Sequence, residues 1–333
     1  MKFVINRSDA IGDLILTTPM AQAIKENFPE AHVSFIISPK CQDILKNHPF
    51  VDEIIVLNPK EKILKRFSFL FKKLRGADYY FFVGGSSLPN LIAAFLFVPF
   101  RGGIKSRWPT FLLLNRGVRQ RRSEVQKHEV EYNLDLLSPL KIPKKEYSPK
   151  IHLKNISENP FSKEFIVVHP GMTGHTLNWP TEYYAEFIEK MEKSFPDRFL
   201  YVISYTPSDE PYLKDVRSLN LGDKIFFLDG SKEGLANYME ILSHASLFLG
   251  PATGTTHMAN SLGIKQIAIY SPIKVQSAFR WSPFEVENSL VLAPKVNCPE
   301  KVHCRGESCP EFECMRKITV DKAVEAAKVL IES

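Results

Sequence analysis

The sequence predicts an α/β protein built from two doubly wound parallel sheets. Short apolar runs alternate with helical patterns from the start of the 333-residue chain, the alternation lapses once near the middle, and it then restarts. In the first half, residues 3–5, 33–37, 54–57 and 79–83 read as strands with helical spacing between them. Residues 142–161 interrupt the pattern with Pro143, Pro149 and Pro160 among Lys, Ser and Asn, the composition of an interdomain connection. Residues 165–168, 199–204, 225–228, 247–249 and 266–270 read as five further strands, and residues 321–331 as a closing amphipathic helix. Two Rossmann-like domains, 1–150 and 161–318, followed by a terminal helical segment, 319–333, account for this order.

Open α/β sheets bind ligands outside the carboxyl ends of their strands. The first handover from strand to helix is Arg7-Ser8-Asp9-Ala10-Ile11-Gly12-Asp13, running on to Pro19. A carboxylate at Asp13 lies near the free N–H groups of a helix N-terminus, which favour its charged form. Asp13 is therefore either a general base or a helix-capping aspartate.

Composition sets further bounds. The chain is 44% hydrophobic, ample for two cores. Met1-Lys2 leads straight into a strand without an apolar signal region, and the longest apolar stretch, 88–100, is broken by Pro89, Asn90 and Pro99. The expectation is a cytoplasmic protein, peripheral to a membrane surface. The net charge is +6, yet residues 60–75 and 101–122 carry fourteen basic residues against Glu61 alone. The remainder is net acidic, so an anionic partner is expected on the first half. Residues 63–74 form a basic amphipathic pattern after Asn58-Pro59, suited either to an anionic membrane surface or to packing on the sheet. Basic side chains with Trp108 can also read as a nucleic-acid patch, but no nucleic-acid fold signature is present.

In the second half, Gly250 to His257 follows a strand and opens a helix. Gly254 permits close backbone approach, and Thr253, Thr255 and Thr256 add hydroxyls to the helix N–H groups, an arrangement suited to a pyrophosphate. His257 reads as ligand contact or packing. His169-Pro170-Gly171-Met172-Thr173-Gly174 is the equivalent turn after residues 165–168, with Gly171, Thr173 and Gly174 as candidate donor contacts. Trp179 reads as packing. Glu210 is a candidate for a ribose hydroxyl, beside Asp209, and Met239 for a nucleobase. No GxGxxG follows any predicted strand, which disfavours a nicotinamide dehydrogenase.

The pattern R-x-D-x-x-G-D-x-x-x-x-x-P at Arg7 to Pro19, the segment from His169 to Trp179-Pro180, and Gly250 to His257 together resemble the lipopolysaccharide heptosyltransferases, glycosyltransferase family 9. The resemblance spans nearly the whole chain. It implies the GT-B fold, two Rossmann-like domains with parallel sheets facing a central cleft, and a terminal helix packing back on the first domain. It implies an inverting, metal-independent transfer with Asp13 as base, from an ADP-linked sugar donor, to a phosphorylated glycolipid of the lipopolysaccharide core. No cofactor is required. Arg7, Gly12, Lys65, Arg101, Arg107 and Arg119 are the candidate acceptor contacts, since arginine holds phosphate bidentately.

Two positions depart from the family. Ala252 stands where many members have Asp, and Leu177 where many have Lys. A hydrogen bond to a charged group contributes about 1.5–3 kcal/mol, so both bear on the donor sugar. His175 or Lys274 is a candidate replacement cation. A chain that kept the fold and lost transfer, serving as a binding protein in envelope glycan assembly, is the alternative. Cys298, Cys304, Cys309 and Cys314 cluster without a CxxC pair, a poor fit to a zinc ribbon, and read as disulfides or free thiols.

Overall fold

The computed structural model describes residues 1–333 except 106, 107, 155, 173 and 175. The chain divides into two compact units. The first holds residues 1–122 and 127–154, the second residues 123–126 and 155–333. The boundary falls inside the predicted connection, but Tyr147 and Ile151 are buried, so its first part belongs to the first unit.

The first unit contains strands β1 (Lys2–Arg7), β2 (His32–Ile37), β3 (Glu53–Val56), β4 (Tyr79–Gly84), β5 (Phe100–Ile104) and β6 (Arg116–Val118). Its helices are α1 (Ile11–Ile15), α2 (Pro19–Asn27), α3 (Gln42–Leu45), α4 (Ile63–Leu74), α5 (Leu88–Phe95), α6 (Thr110–Leu113) and α7 (Glu129–Leu134). The sheet is parallel in the order β3-β2-β1-β4-β5-β6. The winding direction reverses between β1 and β4. Right-handed crossovers therefore place α1–α3 on one face and α4–α6 on the other. Under α4 and α5 the core is filled by Val4, Tyr80, Leu70, Leu74 and Ile92.

The second unit repeats this topology with β7 (Glu164–Val168), β8 (Phe199–Tyr205), β9 (Ile225–Asp229), β10 (Leu247–Pro251), β11 (Gln266–Ile269) and β12 (Ser289–Leu292). Its order is β12-β11-β10-β7-β8-β9, again parallel and reversing between β7 and β10. Helices α8 (Thr181–Ser194), α9 (Lys214–Arg217), α10 (Gly230–Ser243), α11 (Gly254–Ser261), α12 (Ala278–Trp281) and α13 (Val320–Glu332) complete it. The closing helix α13 buries Ala323, Ala327 and Leu330 in this unit's own core with Phe187 and Met191.

All nine predicted strands form, within a residue or two of the expected ends. The sequence reading missed β5, β6 and β12. β5 carries Gly102 and Gly103, which weaken a strand signal. Gly102 is required because a Cβ there would lie 2.7 Å from the Phe81 ring. Among the described residues, no helix is long and apolar enough to cross a membrane.

Trp179 is 1% exposed, donates from Nε1 to the Ile318 carbonyl at 2.8 Å, and meets Tyr183 and Tyr184 edge-on. Trp179→Ala should destabilise the second unit by about 3–5 kcal/mol in urea unfolding. A loss below 1 kcal/mol would contradict this packing.

Candidate active site

In the first unit the reversal point between β1 and β4 gathers charge. The two strands pair in register until Asn6, where the register shifts and Arg7 comes to face Gly84. Arg7 is buried, with its side chain 5% exposed. Its guanidinium donates to the Val83 carbonyl at 2.8 Å, pairs with Asp9 at 3.0 Å, and forms a close ion pair with Asp13. Burial opposes the arginine's charge, but Asp13, Asp9 and Glu129 outweigh it and hold its pKa above the ordinary value. Burial pushes the Asp9 carboxyl up; Arg7 opposes that shift and Asp13 adds to it. The Asp13 side chain remains 24% exposed, so this carboxylate reaches from a buried cation to the surface.

The capping alternative for Asp13 does not hold. The N-cap of α1 is Ala10, with Asp13 in the first turn. Gly12 is buried and its carbonyl accepts from Leu16 N–H at 3.0 Å, so it shapes the turn. Gly84 and Gly85, which sequence reasoning passed over, line the same edge. Gly85 has a φ of +86° and lies against Ser8, and Ser86 N–H donates to Ser8 Oγ at 3.0 Å. A glycine pair at the end of a predicted strand was the available signal.

A second layer comes from α7. His128 caps this helix and Glu131 returns the bond. Glu129, 1% exposed, pairs with Arg122, whose Nη2 donates to Asn133 Oδ1 at 3.2 Å. Asn133 Nδ2 in turn donates to the Leu16 carbonyl at 3.0 Å and Thr17 Oγ1 at 3.3 Å, fixing the chain that follows Asp13.

The second unit's reversal point is made of donors. His169 N–H donates to the Leu249 carbonyl at 2.9 Å, joining the ends of β7 and β10. Its Nδ1 lies 2.9 Å from the Ser204 carbonyl, so Nδ1 carries the proton, and burial lowers the ring's pKa against the pull of Asp209. Beyond β10, Thr253 stands at the N-cap of α11, and the first N–H groups of that helix have no partner within it. Thr253 and Thr255 hydroxyls lie 2.6 Å apart, both half-buried.

Several predicted contacts are corrected. Thr256 is buried and its hydroxyl bonds the Pro251 carbonyl, which leaves only its backbone N–H to offer. Met239, on α10, is 1% exposed and packs as a core residue. Glu210 points outward and holds Arg217 through two bonds of 2.9 and 3.0 Å. Its neighbour Asp209 is the inward carboxylate: it caps Thr206 at 2.8 Å, and a Cβ on Gly171 would fall on it. Arg101 is held by the Leu113 and Val98 carbonyls at 2.8 and 2.6 Å, so its guanidinium staples a loop rather than standing free for a phosphate. Lys65 is 71% exposed and pairs with Glu61. Arg119 lies over the Phe111 ring. His257 is buried with its ring 6.4 Å from Trp281, and Gly174 is exposed at a φ of +73°. Thr173, His175 and Arg107 lie outside the described residues.

Leu177 packs on the second unit's core, and Lys274 pairs with Glu124 at 3.3 Å. Leu177 also lines a cavity of about 310 Å³ with Cys298, Cys304, Cys309 and Cys314. All five cysteines are free thiols, and burial together with the neighbouring thiols pushes Cys314 up. Among the described residues no group of three His, Cys, Asp or Glu side chains is placed to hold a metal.

A Cβ at Gly84 would sit 2.7 Å from Arg7 Nη1 and 2.8 Å from Asp9 Oδ2. Gly84→Ala should therefore displace the buried pair and cost about 1–3 kcal/mol in thermal unfolding. An unchanged midpoint would show that the pair is looser than described.

Residues 69–309 match the family model of glycosyltransferase family 9 (heptosyltransferase). A lipooligosaccharide heptosyltransferase 2 of Campylobacter jejuni is 20% identical over 337 residues, covering 100% of this chain and 99% of the relative. The structure of the Escherichia coli ADP-heptose lipopolysaccharide heptosyltransferase II is similar at a TM-score of 0.80 and 17% identity, covering 100% of this chain and 99% of that one. An E. coli heptosyltransferase solved with ADP, WaaC, is similar at a TM-score of 0.74 and 16% identity over 99% and 100%. With the family model matching residues 69–309, more than half of the chain, from β4 of the first sheet through the second, the chain belongs to glycosyltransferase family 9, the heptosyltransferases.

Proposed function

We propose that this chain transfers heptose or a related sugar, with inversion, from an ADP-linked donor to a phosphorylated glycolipid of the lipopolysaccharide core. The observation that carries the reading is the Asp13 carboxylate, partly exposed at the β1–β4 reversal and oriented from beneath by buried Arg7. In this reading the acceptor hydroxyl attacks the anomeric carbon on the face opposite the nucleotide. Its proton passes to Asp13, and the bond to the diphosphate breaks as the glycosidic bond forms. Arg7 is a positioning residue, since its donors are engaged by Val83, Asp9 and Asp13.

The departing diphosphate is received by the backbone N–H groups of Gly254, Thr255 and Thr256 and the hydroxyls of Thr253 and Thr255. The Gly171 turn adds a second side, with Asp209 as the carboxylate nearest to it. These groups support transfer without a catalytic metal. Solved relatives that carry ADP and ADP-2-deoxy-2-fluoro heptose support adenine as the base. A lipid-borne acceptor implies work at the inner face of a membrane.

Thermal unfolding in the presence of ADP, UDP, GDP and their common sugar forms tests the donor. Saturation at a hundred times the dissociation constant adds about 2.7 kcal/mol. ADP and ADP-heptose should stabilise the protein, with and without a chelator. Stabilisation by UDP or GDP forms alone would overturn the donor assignment.

A further inference from the structure

We propose that α4, α5 and α6 of the first unit form a docking surface for a bilayer rich in anionic phospholipid. This deepens the reading of a lipid-borne acceptor, but it stands on its own observations. Large apolar side chains lie outward on all three helices: Ile63 and Leu64 on α4 at 54% and 80% exposure, Leu91 on α5 at 51%, and Trp108, Phe111 and Leu112 at 78%, 46% and 65% around α6. These helices share one face of the sheet, on the side set by the crossovers after β3, β4 and β5. The first turn of α4 follows β3 and Trp108 follows β5, each beyond a strand carboxyl end, as Asp13 lies beyond that of β1.

Charge identifies the occupant. The chain has no acidic residue between Asp78 and Glu124, whereas Lys105, Arg116, Arg119 and Arg121 flank α6 with their side chains at least partly exposed. Lys105 Nζ lies 4.8 Å above the Phe111 ring, so cation and apolar side chain meet directly. Lysine is depleted in protein–protein interfaces, while lysine and arginine beside exposed leucine and tryptophan match the headgroup and acyl layers of an anionic bilayer. Large apolar side chains exposed on three neighbouring helices are uncommon on a surface facing only water. The surface therefore holds the first unit's catalytic edge close to lipid, where a lipid-borne acceptor is found.

Co-sedimentation of the full chain with phosphatidylglycerol–phosphatidylethanolamine vesicles, against phosphatidylcholine vesicles, tests this without donor or acceptor. The protein should sediment with the anionic vesicles and be released by high salt. Tryptophan emission should shift to the blue through Trp108, which is exposed while Trp179 is buried and Trp281 half-buried, and the shift should vanish in Trp108→Phe. The triple variant Trp108→Ser, Phe111→Ser, Leu112→Ser should lose at least tenfold in partitioning at an unchanged thermal midpoint. Leu64→Ser, on a different helix, should lose severalfold and serves if the triple variant misfolds. Absence of binding to anionic vesicles, equal binding by both variants, or a vesicle-free dimer dissolved by the same substitutions would overturn the proposal. Nucleotide binding is read separately, so failure here leaves the proposed reaction standing.

Discussion

A buried guanidinium must be surrounded by acceptors, and Arg7 organises the first unit around that requirement. It sits where the β1–β4 register shifts, and it draws on a backbone carbonyl and two carboxylates at once. Leaving such a charge without a partner costs about 3–5 kcal/mol. Asp13 is thereby fixed in direction by an ion pair rather than by its place in a short helix. Gly84 follows from the same constraint, because a side chain there would occupy the guanidinium's space. Glu129 completes the field from α7, and Asn133 ties that helix to the turn after Asp13.

The two units share one topology but differ in electrostatics. The first places carboxylates on a buried cation at its reversal point. The second places a neutral, buried His169 between two strands and opens α11 with small residues whose N–H groups are available. Carboxylate chemistry suits taking a proton from an attacking hydroxyl, and N–H dipoles suit receiving a diphosphate. In the proposed reaction each unit's reversal point would supply one of these two roles.

Much of this was legible in the sequence because buried parallel strands read as short apolar runs, and the runs fix the handover points. The position of Asp13 followed from a strand ending near Arg7. What was not legible depended on side-chain direction. Glu210 and Asp209 are adjacent, yet only the fold shows that Asp209 turns inward while Glu210 meets Arg217. Met239 and Thr256 have the right chemistry but face inward, and Arg101 is held by carbonyls. The support from Glu129 and Asn133 lies more than a hundred residues from the turn it fixes, beyond the reach of local pattern. Glycines in β5 hid a strand for a packing reason, the Phe81 ring beneath Gly102.

In the proposed reaction Asp13 takes the acceptor's proton while the second unit holds the nucleotide independently. The most direct measurement is turnover of Asp13→Asn beside its dissociation constant for ADP. A general base at Asp13 requires a loss of about 10²–10⁴-fold in turnover, with ADP affinity within about twofold of the unsubstituted protein. Turnover close to that of the unsubstituted protein would contradict it.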